Sequence, residues 1–113
     1  MKHLGGNALH DKCADGVPNN RFPGWDVLGN GKNFDALQMT TRTLWEVKCG
    51  DVESYSPYVL QIELDDQVNE AQRERALAAA CGYDFVIGVR TDAHKQLLKS
   101  KDFTLNVIIM DWC

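Results

Sequence analysis

The sequence predicts one α/β domain with a mixed, mostly antiparallel sheet of about five strands around a single long helix. Three observations support this prediction. The chain has 113 residues, the usual size of one domain. Hydrophobic residues make up 44% and charged residues 25%, which is typical of a globular domain with a buried core. Apolar patterns with strand and helix periods follow one another in the order β-β-β-α-β-α-β.

Charge and hydropathy narrow the classes of partner. The net charge is −4 and the pI is about 5.2. Proteins that only read nucleic acid usually carry a positive net charge, because contacts with phosphate supply most of their affinity. The acidity argues against such a reader, but it is less of an obstacle for an enzyme that gathers carboxylates around a metal ion. No apolar run approaches the roughly 20 residues that cross a bilayer, so no membrane partner is expected.

The first 24 residues predict an irregular arm. Gly, Asn, Asp and Pro are frequent there, and two Pro-containing segments are typical of turns, although a short helix over residues 7–14 fits the pattern. A single domain is expected over residues 1–113, with its core over residues 25–110.

The four cysteines are widely spaced and contain no CxxC pair. They stand at positions 13, 49, 81 and 113 and permit three complete disulfide pairings. Free buried thiols are favoured, because the chain has enough apolar residues to fold without cross-links. A disulfide involving Cys13 or Cys113 and a metal site are the alternatives.

Three strands are predicted between residues 25 and 49. Residues 25–28 and 33–38 flank an Asn-Gly pair, which is the strongest two-residue indicator of a hairpin. Residues 43–49 alternate large apolar and polar side chains, as a strand with one buried face does. Together these segments predict a three-stranded antiparallel meander.

A long helix is predicted after the third strand. Ser56 is a good N-cap, Pro57 suits the first helical position and Gly82 suits the position just past the end. Gln67 lies in the middle of the predicted buried face of this helix. The apolar residues of that face recur at helical spacing and are Leu60, Leu64, Val68, Ala71 and Ala78.

Two strands and a short helix complete the chain. Residues 83–89 form a continuous apolar run, which predicts a strand buried on both faces. Thr91 and Asp92 can cap a short helix over residues 93–99. Residues 105–110 predict the last strand.

Asp35, Glu46 and Lys48 are candidate catalytic residues. The two-residue period of a strand places Glu46 and Lys48 on one face, and the hairpin is expected to bring Asp35 beside Glu46. Carboxylates hold Mg²⁺ or Mn²⁺. Such an ion acidifies a water and offsets charge on a phosphate, while a lysine stabilises the oxyanion. Asp35, Glu46 and the Val47 carbonyl are the predicted metal ligands. The Glu-x-Lys pair alone is also common on solvated sheet faces.

Gln67 is the fourth predicted catalytic residue, because a polar side chain stands where the helix pattern predicts a hydrophobic one. A hydrogen-bonded buried amide is the alternative. His10 and His94 are candidates for a different, metal-independent mechanism in which histidine acts as the base. Glu70 and Glu74 are predicted to belong to a solvated helix face.

The order of motifs resembles the PD-(D/E)xK, or restriction-endonuclease-like, nuclease superfamily. Asp35 is followed by ten residues and then by Glu46-Val47-Lys48, on strands that precede a helix and further strands. Over roughly residues 25–110, this resemblance implies a restriction-endonuclease-like sheet with a long helix after the third strand. It also implies metal ligation by Asp35 and Glu46, and a catalytic role for Lys48 with Gln67 near the metal. The superfamily's proline before the first Asp is replaced by Phe34.

An uncharacterised bacterial family of toxin domains with this fold is similar in five stretches, which span residues 13–27, 34–38, 44–48, 72–89 and 110–113. Such domains sit at the C-terminus of long, secreted polymorphic toxins. The resemblance implies an endonuclease that is delivered into the cytoplasm of a target cell. There it would hydrolyse nucleic acid, with DNA favoured over RNA, and a cognate immunity protein would protect the producer.

Two other classes of function stay open at this level. One is a metal-independent ribonuclease toxin that relies on His10 or His94. The other is a non-enzymatic protein-binding module, whose acidic surface would suit a basic partner.

Overall fold

In the part of the chain that the structure describes, six strands form two separate sheets. The computed structural model describes residues 8–29 and 31–113. An antiparallel hairpin consists of β1 (Val27–Gly29) and β2 (Lys32–Phe34). The second sheet has the order β3-β4-β5-β6 and consists of β3 (Ala36–Gln38), β4 (Thr43–Lys48), β5 (Asp84–Val89) and β6 (Val107–Ile109). The fold is therefore mixed α+β, as the sequence predicts, and the restriction-endonuclease-like arrangement stays a prediction.

Three helices of the described residues cover the two faces of the four-stranded sheet. They are α1 (Ala8–Asp15), α2 (Pro57–Ala80) and α3 (Asp92–Lys101), and a short 3₁₀ turn spans Val52–Ser54. Leu44 of β4 packs in one core with α2 and α3, whereas Trp45 and Val47 pack in a second core with α1. The alternation along β4 therefore separates the two cores, as a two-residue period requires. Within the described ranges, no helix is long and apolar enough to cross a membrane.

The prediction of a mostly antiparallel sheet is wrong. β3 is antiparallel to β4, but β4 and β5 are parallel, and so are β5 and β6. The physical reason lies in the connections. A helix joins each parallel pair and returns the chain to the starting edge, which is the connection that parallel strands need and antiparallel strands do not. The continuous apolar run of β5 agrees with a strand that is covered on both faces.

The long helix has the ends that the sequence predicts. Ser56 caps α2 by accepting a hydrogen bond from the Val59 N–H, and Pro57 occupies the first turn. Gly82 adopts a φ of +79°, which favours glycine just past a helix end. The buried face of α2 contains the expected apolar residues, but it also contains two polar ones, Gln67 and Glu74.

The predicted meander is broken at Asp35. The hairpin prediction is confirmed, since Val27 pairs with Phe34 and Gly29 with Lys32; Asn30 of its turn lies outside the described residues. The strand predicted over residues 33–38 is instead divided into β2 and β3. The Asp35 N–H donates to the Trp45 carbonyl oxygen at 2.8 Å. The Asp35 side chain accepts a hydrogen bond from the backbone of β4.

The prediction of an irregular arm over residues 1–24 is wrong for residues 8–15, whereas residues 16–24 form turns and bends. Residues 8–15 form α1, in agreement with the alternative of a short helix, and Cys13 and Ala14 are fully buried. The Trp112 indole N–H donates to the Cys13 carbonyl at 2.8 Å, which ties α1 to the C-terminal residues. The buried side chains of α1 belong to the core, so they share its hydrophobic stabilisation.

A disulfide joins Cys13 to Cys113. The favoured prediction of free buried thiols is therefore wrong for these two cysteines. Cys49 and Cys81 are free, but Cys49 is half-buried and Cys81 is exposed. Burial raises the pKa of the Cys49 thiol to about 11. Composition alone does not predict the bridge, because only the packing of α1 on the sheet brings Cys13 and Cys113 together.

Cys113→Ser is expected to lower the free energy of unfolding by about 3–5 kcal/mol, because a bridge across a loop of this length removes much of the entropy of the unfolded chain. The bridged residues are 100 positions apart. Urea denaturation without reductant measures the change. Cys81→Ser, which removes an exposed free thiol, is the control and should leave the midpoint unchanged. Equal midpoints for both variants would contradict this account.

Candidate active site

Glu46 and Lys48 project from β4 toward α2, as predicted. Trp45 and Val47 point to the opposite core, so the two-residue period leaves the acid and the base on the helix side. β4 lies between β3 and β5, which makes it an interior strand of the sheet and not an exposed edge. Glu46 is accordingly buried, and its Oε1 atom lies 3.9 Å from the Lys48 Nζ.

Asp35 reaches the same end of β4 through a backbone contact. Its Oδ2 atom accepts a hydrogen bond from the Val47 N–H at 2.7 Å. The break between β2 and β3 turns the carboxylate toward β4, and Asp35 is buried there. The N–H and C=O of one strand residue point to the same side of the strand, so the Val47 carbonyl is directed to the same edge as Asp35. The predicted ligands Asp35, Glu46 and Val47 are therefore neighbours.

Gln67 lies opposite β4 in a chain of hydrogen bonds. Its Oε1 atom is 2.8 Å from His94 Nε2, and its amide nitrogen donates to Glu63 Oε1 at 3.0 Å. The alternative of a hydrogen-bonded buried amide is therefore confirmed for Gln67. Its side chain also lines a cavity with Glu46 and Lys48, and its catalytic role stays a prediction. His94 orients this amide from α3.

A cavity of about 240 Å³ opens beside these residues. The walls contain Glu46, Val47 and Lys48 from β4, and Gln67 and Glu63 from α2 complete one side. The remaining lining residues are His10, Cys49, Gly50, Val52 and Tyr55. Four of the residues in these walls carry ionisable or amide groups that the sequence singles out, which makes this cavity the candidate active site. Larger cavities elsewhere lack this combination.

Two glutamates of α2 join the site, although the sequence places them on a solvated face. Glu70 Oε1 accepts a hydrogen bond from Lys48 Nζ at 2.9 Å. Glu74 lies 3.2 Å from Lys32 Nζ, and only 4% of its side chain is exposed. The predicted solvated face is therefore wrong for Glu74. A sequence pattern marks both residues, because Glu63, Gln67, Glu70 and Glu74 follow one another at helical spacing along the side that faces β4.

The carboxylates of this cluster are costly to ionise without a cation. Burial, together with the charges of Asp35 and Glu74, raises the pKa of Glu46 to about 9. Burial and the neighbouring Glu70 raise the pKa of Glu74 to about 7, although Lys32 opposes the shift. Glu46 Oε2 and both Glu74 carboxylate oxygens have no hydrogen-bond partner among the described residues. These atoms are hard oxygen donors of the type that divalent cations prefer, so the donor set fits a metal ion.

The lysines of the cluster stay positively charged. Burial lowers the pKa of the Lys48 ammonium, but the carboxylates of Glu46 and Glu70 outweigh burial and the net shift is upward. The pKa of Lys32 is raised in the same way, with Glu46 and Glu74 as the partners that outweigh burial. Lys32 was not a predicted site residue. It lies on β2, and the β1–β2 hairpin places its ammonium group beside Glu46 and Glu74.

The two candidate histidines have different environments. His10 lines the cavity from α1, and its Nε2 atom lies 3.4 Å from Asp35 Oδ2. The hydrogen bond with Asp35 raises the pKa of His10. His94, in contrast, is buried in contact with Gln67, and burial lowers its pKa. A buried imidazole that holds a neighbouring amide is suited to positioning Gln67, whereas His10 is placed where a ligand in the cavity can reach it.

The comparison with known proteins identifies a family but not an activity. The model of DUF6310, a family of unknown function, matches residues 1–113. The chain belongs to this family. No curated protein and no solved structure matches the chain.

Glu74→Gln is expected to stabilise the metal-free protein at about pH 8 by about 1–3 kcal/mol. The pKa of Glu74 in the folded state is raised from 4.5 to about 7. Ionisation of this carboxyl therefore costs stability as the pH rises through that interval, and a neutral amide avoids the cost. Urea denaturation in EDTA measures the difference, which should disappear at about pH 4, where the native carboxyl is protonated.

Asp65→Asn is the matched control for this measurement. Asp65 also lies on α2 and pairs with a lysine, Lys101, at 2.8 Å, but 62% of its side chain is exposed. Removing this charge should change the stability by only a few tenths of a kcal/mol at either pH. A Glu74→Gln protein that is less stable than the native chain at about pH 8 would contradict the stated cost of burial.

Proposed function

We propose that this DUF6310 domain is a divalent-metal-dependent nuclease that hydrolyses phosphodiester bonds. One observation supports the proposal most directly. Asp35 and Glu46 lie next to the backbone of Val47, and Lys48 lies on the same face of β4 as Glu46, beside a cavity. Two carboxylates, a carbonyl and an ammonium group form a set that suits a metal ion and a phosphate together. The resemblance to PD-(D/E)xK nucleases assigns roles to three of these positions, Asp35, Glu46 and Lys48.

Asp35, Glu46 and the Val47 carbonyl would hold Mg²⁺ or Mn²⁺ in this proposal. Such an ion supplies a water of lowered pKa and charge stabilisation for the scissile phosphate. The buried oxygen of Glu46 that lacks a hydrogen bond supports this assignment, since an unsatisfied buried carboxylate is costly without a cation. The fixed hydrogen bond between Asp35 and Val47 supports it as well, because it holds the ligands at one end of β4.

Lys48 and Gln67 are the groups that would act on the substrate. The Lys48 ammonium is suited to orienting the attacking water and to stabilising the negative charge that builds on the phosphate oxygens. Gln67 is suited to holding a water or a phosphate oxygen, because its amide is fixed by His94 and Glu63 and lines the cavity. Tyr55 also lines the cavity and is partly exposed, so it offers a ring on which a base can stack.

The same proposal includes the biological setting that the toxin resemblance implies. The domain would act in the cytoplasm of a target cell after delivery as part of a larger secreted toxin, with DNA as the favoured substrate and RNA as the second. A cognate immunity protein would be its protein partner. The Cys13–Cys113 disulfide supports passage through an oxidising compartment, since structural disulfides persist there.

Purified domain is expected to cleave plasmid DNA in the presence of Mg²⁺ or Mn²⁺ and to lose that activity in EDTA. Asp35→Asn and Lys48→Ala should each reduce the rate by at least about a hundredfold, since each removes a charge that acts on the reacting phosphate. Asn at position 35 keeps an oxygen that can accept the Val47 N–H, so the local backbone contact is preserved. Gel electrophoresis of plasmid and, separately, of total RNA measures the outcome.

Asp65→Asn and Lys101→Ala are matched controls, because they remove one acid and one lysine from an ion pair on another face of α2. Both should cleave at the native rate. Folding of every variant is checked by circular dichroism. Metal-dependent cleavage that survives unchanged in both site variants would overturn the assignment. Absence of cleavage of either substrate by folded protein would favour the non-enzymatic binding module.

A metal-independent ribonuclease that uses His10 is the second candidate. The observation in its favour is that His10 lines the cavity within 3.4 Å of Asp35 Oδ2, in an acid–histidine arrangement suited to proton transfer. The buried position of His94 does not favour it as the base. If this function holds, RNA cleavage persists in EDTA and His10→Ala abolishes it. If the nuclease proposal holds, His10→Ala keeps metal-dependent cleavage.

A further inference from the structure

We propose that Glu46, Glu70 and Glu74 form a second divalent-cation site, distinct from the ligand set of Asp35 and Val47 and sharing Glu46 with it. One carboxylate oxygen from each of the three glutamates lies within 4.8 Å of the other two. Oxygen ligands of Mg²⁺ lie about 2.0–2.1 Å from the ion and those of Ca²⁺ about 2.3–2.6 Å, so two ligands of one ion are at most about 4–5 Å apart. The three oxygens already fall near this limit.

The burial of these oxygens points to a ligand. Glu46 Oε2 and both carboxylate oxygens of Glu74 are shielded from solvent and have no hydrogen-bond partner among the described residues. Lys32 approaches Glu74 Oε1 to 3.2 Å but does not complete a hydrogen bond of good geometry. Buried polar atoms are nearly always satisfied in folded proteins. A cation among the three carboxylates would give the buried carboxyl groups of Glu46 and Glu74 a direct positive partner.

The charges of the cluster favour a cation over additional hydrogen-bond donors. Three carboxyl groups face two ammonium groups, those of Lys32 and Lys48, so a cation that displaces the protons of Glu46 and Glu74 meets one more negative charge than the two lysines neutralise. Both lysines are partly exposed at 34% and 22% of the side chain, so each can withdraw its ammonium group toward solvent. The cluster contains only oxygen donors, which select hard cations such as Mg²⁺, Mn²⁺ or Ca²⁺.

A cation in this site would change the position of Lys48. Glu70 now holds the Lys48 Nζ at 2.9 Å. When Glu70 binds a cation instead, Lys48 loses its closest carboxylate and its ammonium group is free to turn to the cavity that it already lines. This consequence rests on the proposed nuclease function, since it links the second ion to the group that acts on the phosphate. The cation site itself rests only on the three glutamates.

Binding of Mn²⁺ to the full chain tests the proposal directly. Isothermal titration calorimetry with MnCl₂ gives the stoichiometry and affinity for the native protein and for Asp35→Asn, Glu70→Gln, Glu74→Gln and Asp65→Asn. We expect Asp35→Asn to retain one Mn²⁺ site. We expect Glu70→Gln and Glu74→Gln to weaken that site at least about tenfold, as loss of a ligand does. Asp65→Asn, an acid on the same helix outside the cluster, should bind as the native protein does.

Thermal unfolding of each variant in EDTA shows that the protein remains folded, and the neutral glutamine avoids an unpaired buried charge. Native affinity and stoichiometry in both Glu70→Gln and Glu74→Gln would overturn the second site. Loss of all Mn²⁺ binding in Asp35→Asn would overturn its independence from Asp35. Because binding is measured without substrate, a protein that shows the expected binding but cleaves nothing upholds this site and contradicts only the nuclease proposal.

Discussion

The burial of the Glu46 carboxylate between the sheet and α2 is the constraint around which the rest of the site is arranged. An ionised carboxylate loses its water when it is buried, and it needs a nearby positive charge in return. The fold supplies Lys48 from the same strand and Lys32 from the hairpin, each with Nζ 3.9 Å from Glu46. Glu74 then adds a second buried acid beside them. The apolar cores on both sides of β4 hold this charged layer in place.

The two faces of β4 have different roles, since one packs in an apolar core with α1 and the other carries the charged residues of the site. Trp45 and Val47 anchor the strand to α1, and the Cys13–Cys113 bridge fixes α1 to the end of the chain. That anchoring also holds His10 at the cavity. On the other face, polar side chains of α2 occupy positions that hydrophobic ones would fill in a helix selected for stability alone. A lower free energy of unfolding is a common consequence where binding or catalysis needs buried charged groups.

The Asp35 side chain connects the backbone of β4 with the candidate site, because it accepts a hydrogen bond from the Val47 N–H. If β2 and β3 formed one continuous strand, its residues would alternate between the two faces, and the Asp35 side chain would not hydrogen-bond the neighbouring strand's backbone. The break lets Asp35 accept the Val47 N–H and frees the β1–β2 hairpin to carry Lys32 over the cluster. The same local departure from regular structure thus places both a carboxylate and a lysine. This explains why the site lies where the regular sheet ends.

The sequence by itself determined the elements whose cause is local. Ser56, Pro57 and Gly82 mark the ends of α2, and the strand period places Glu46 and Lys48 together, because caps and side-chain alternation depend only on neighbouring residues. Only the tertiary structure decided the parallel pairing of β4 with β5, the bridge from Cys13 and the entry of Glu70 and Glu74 into the site. Those features depend on which surfaces meet across the sheet, and contacts between residues distant in the chain are not encoded in any local pattern.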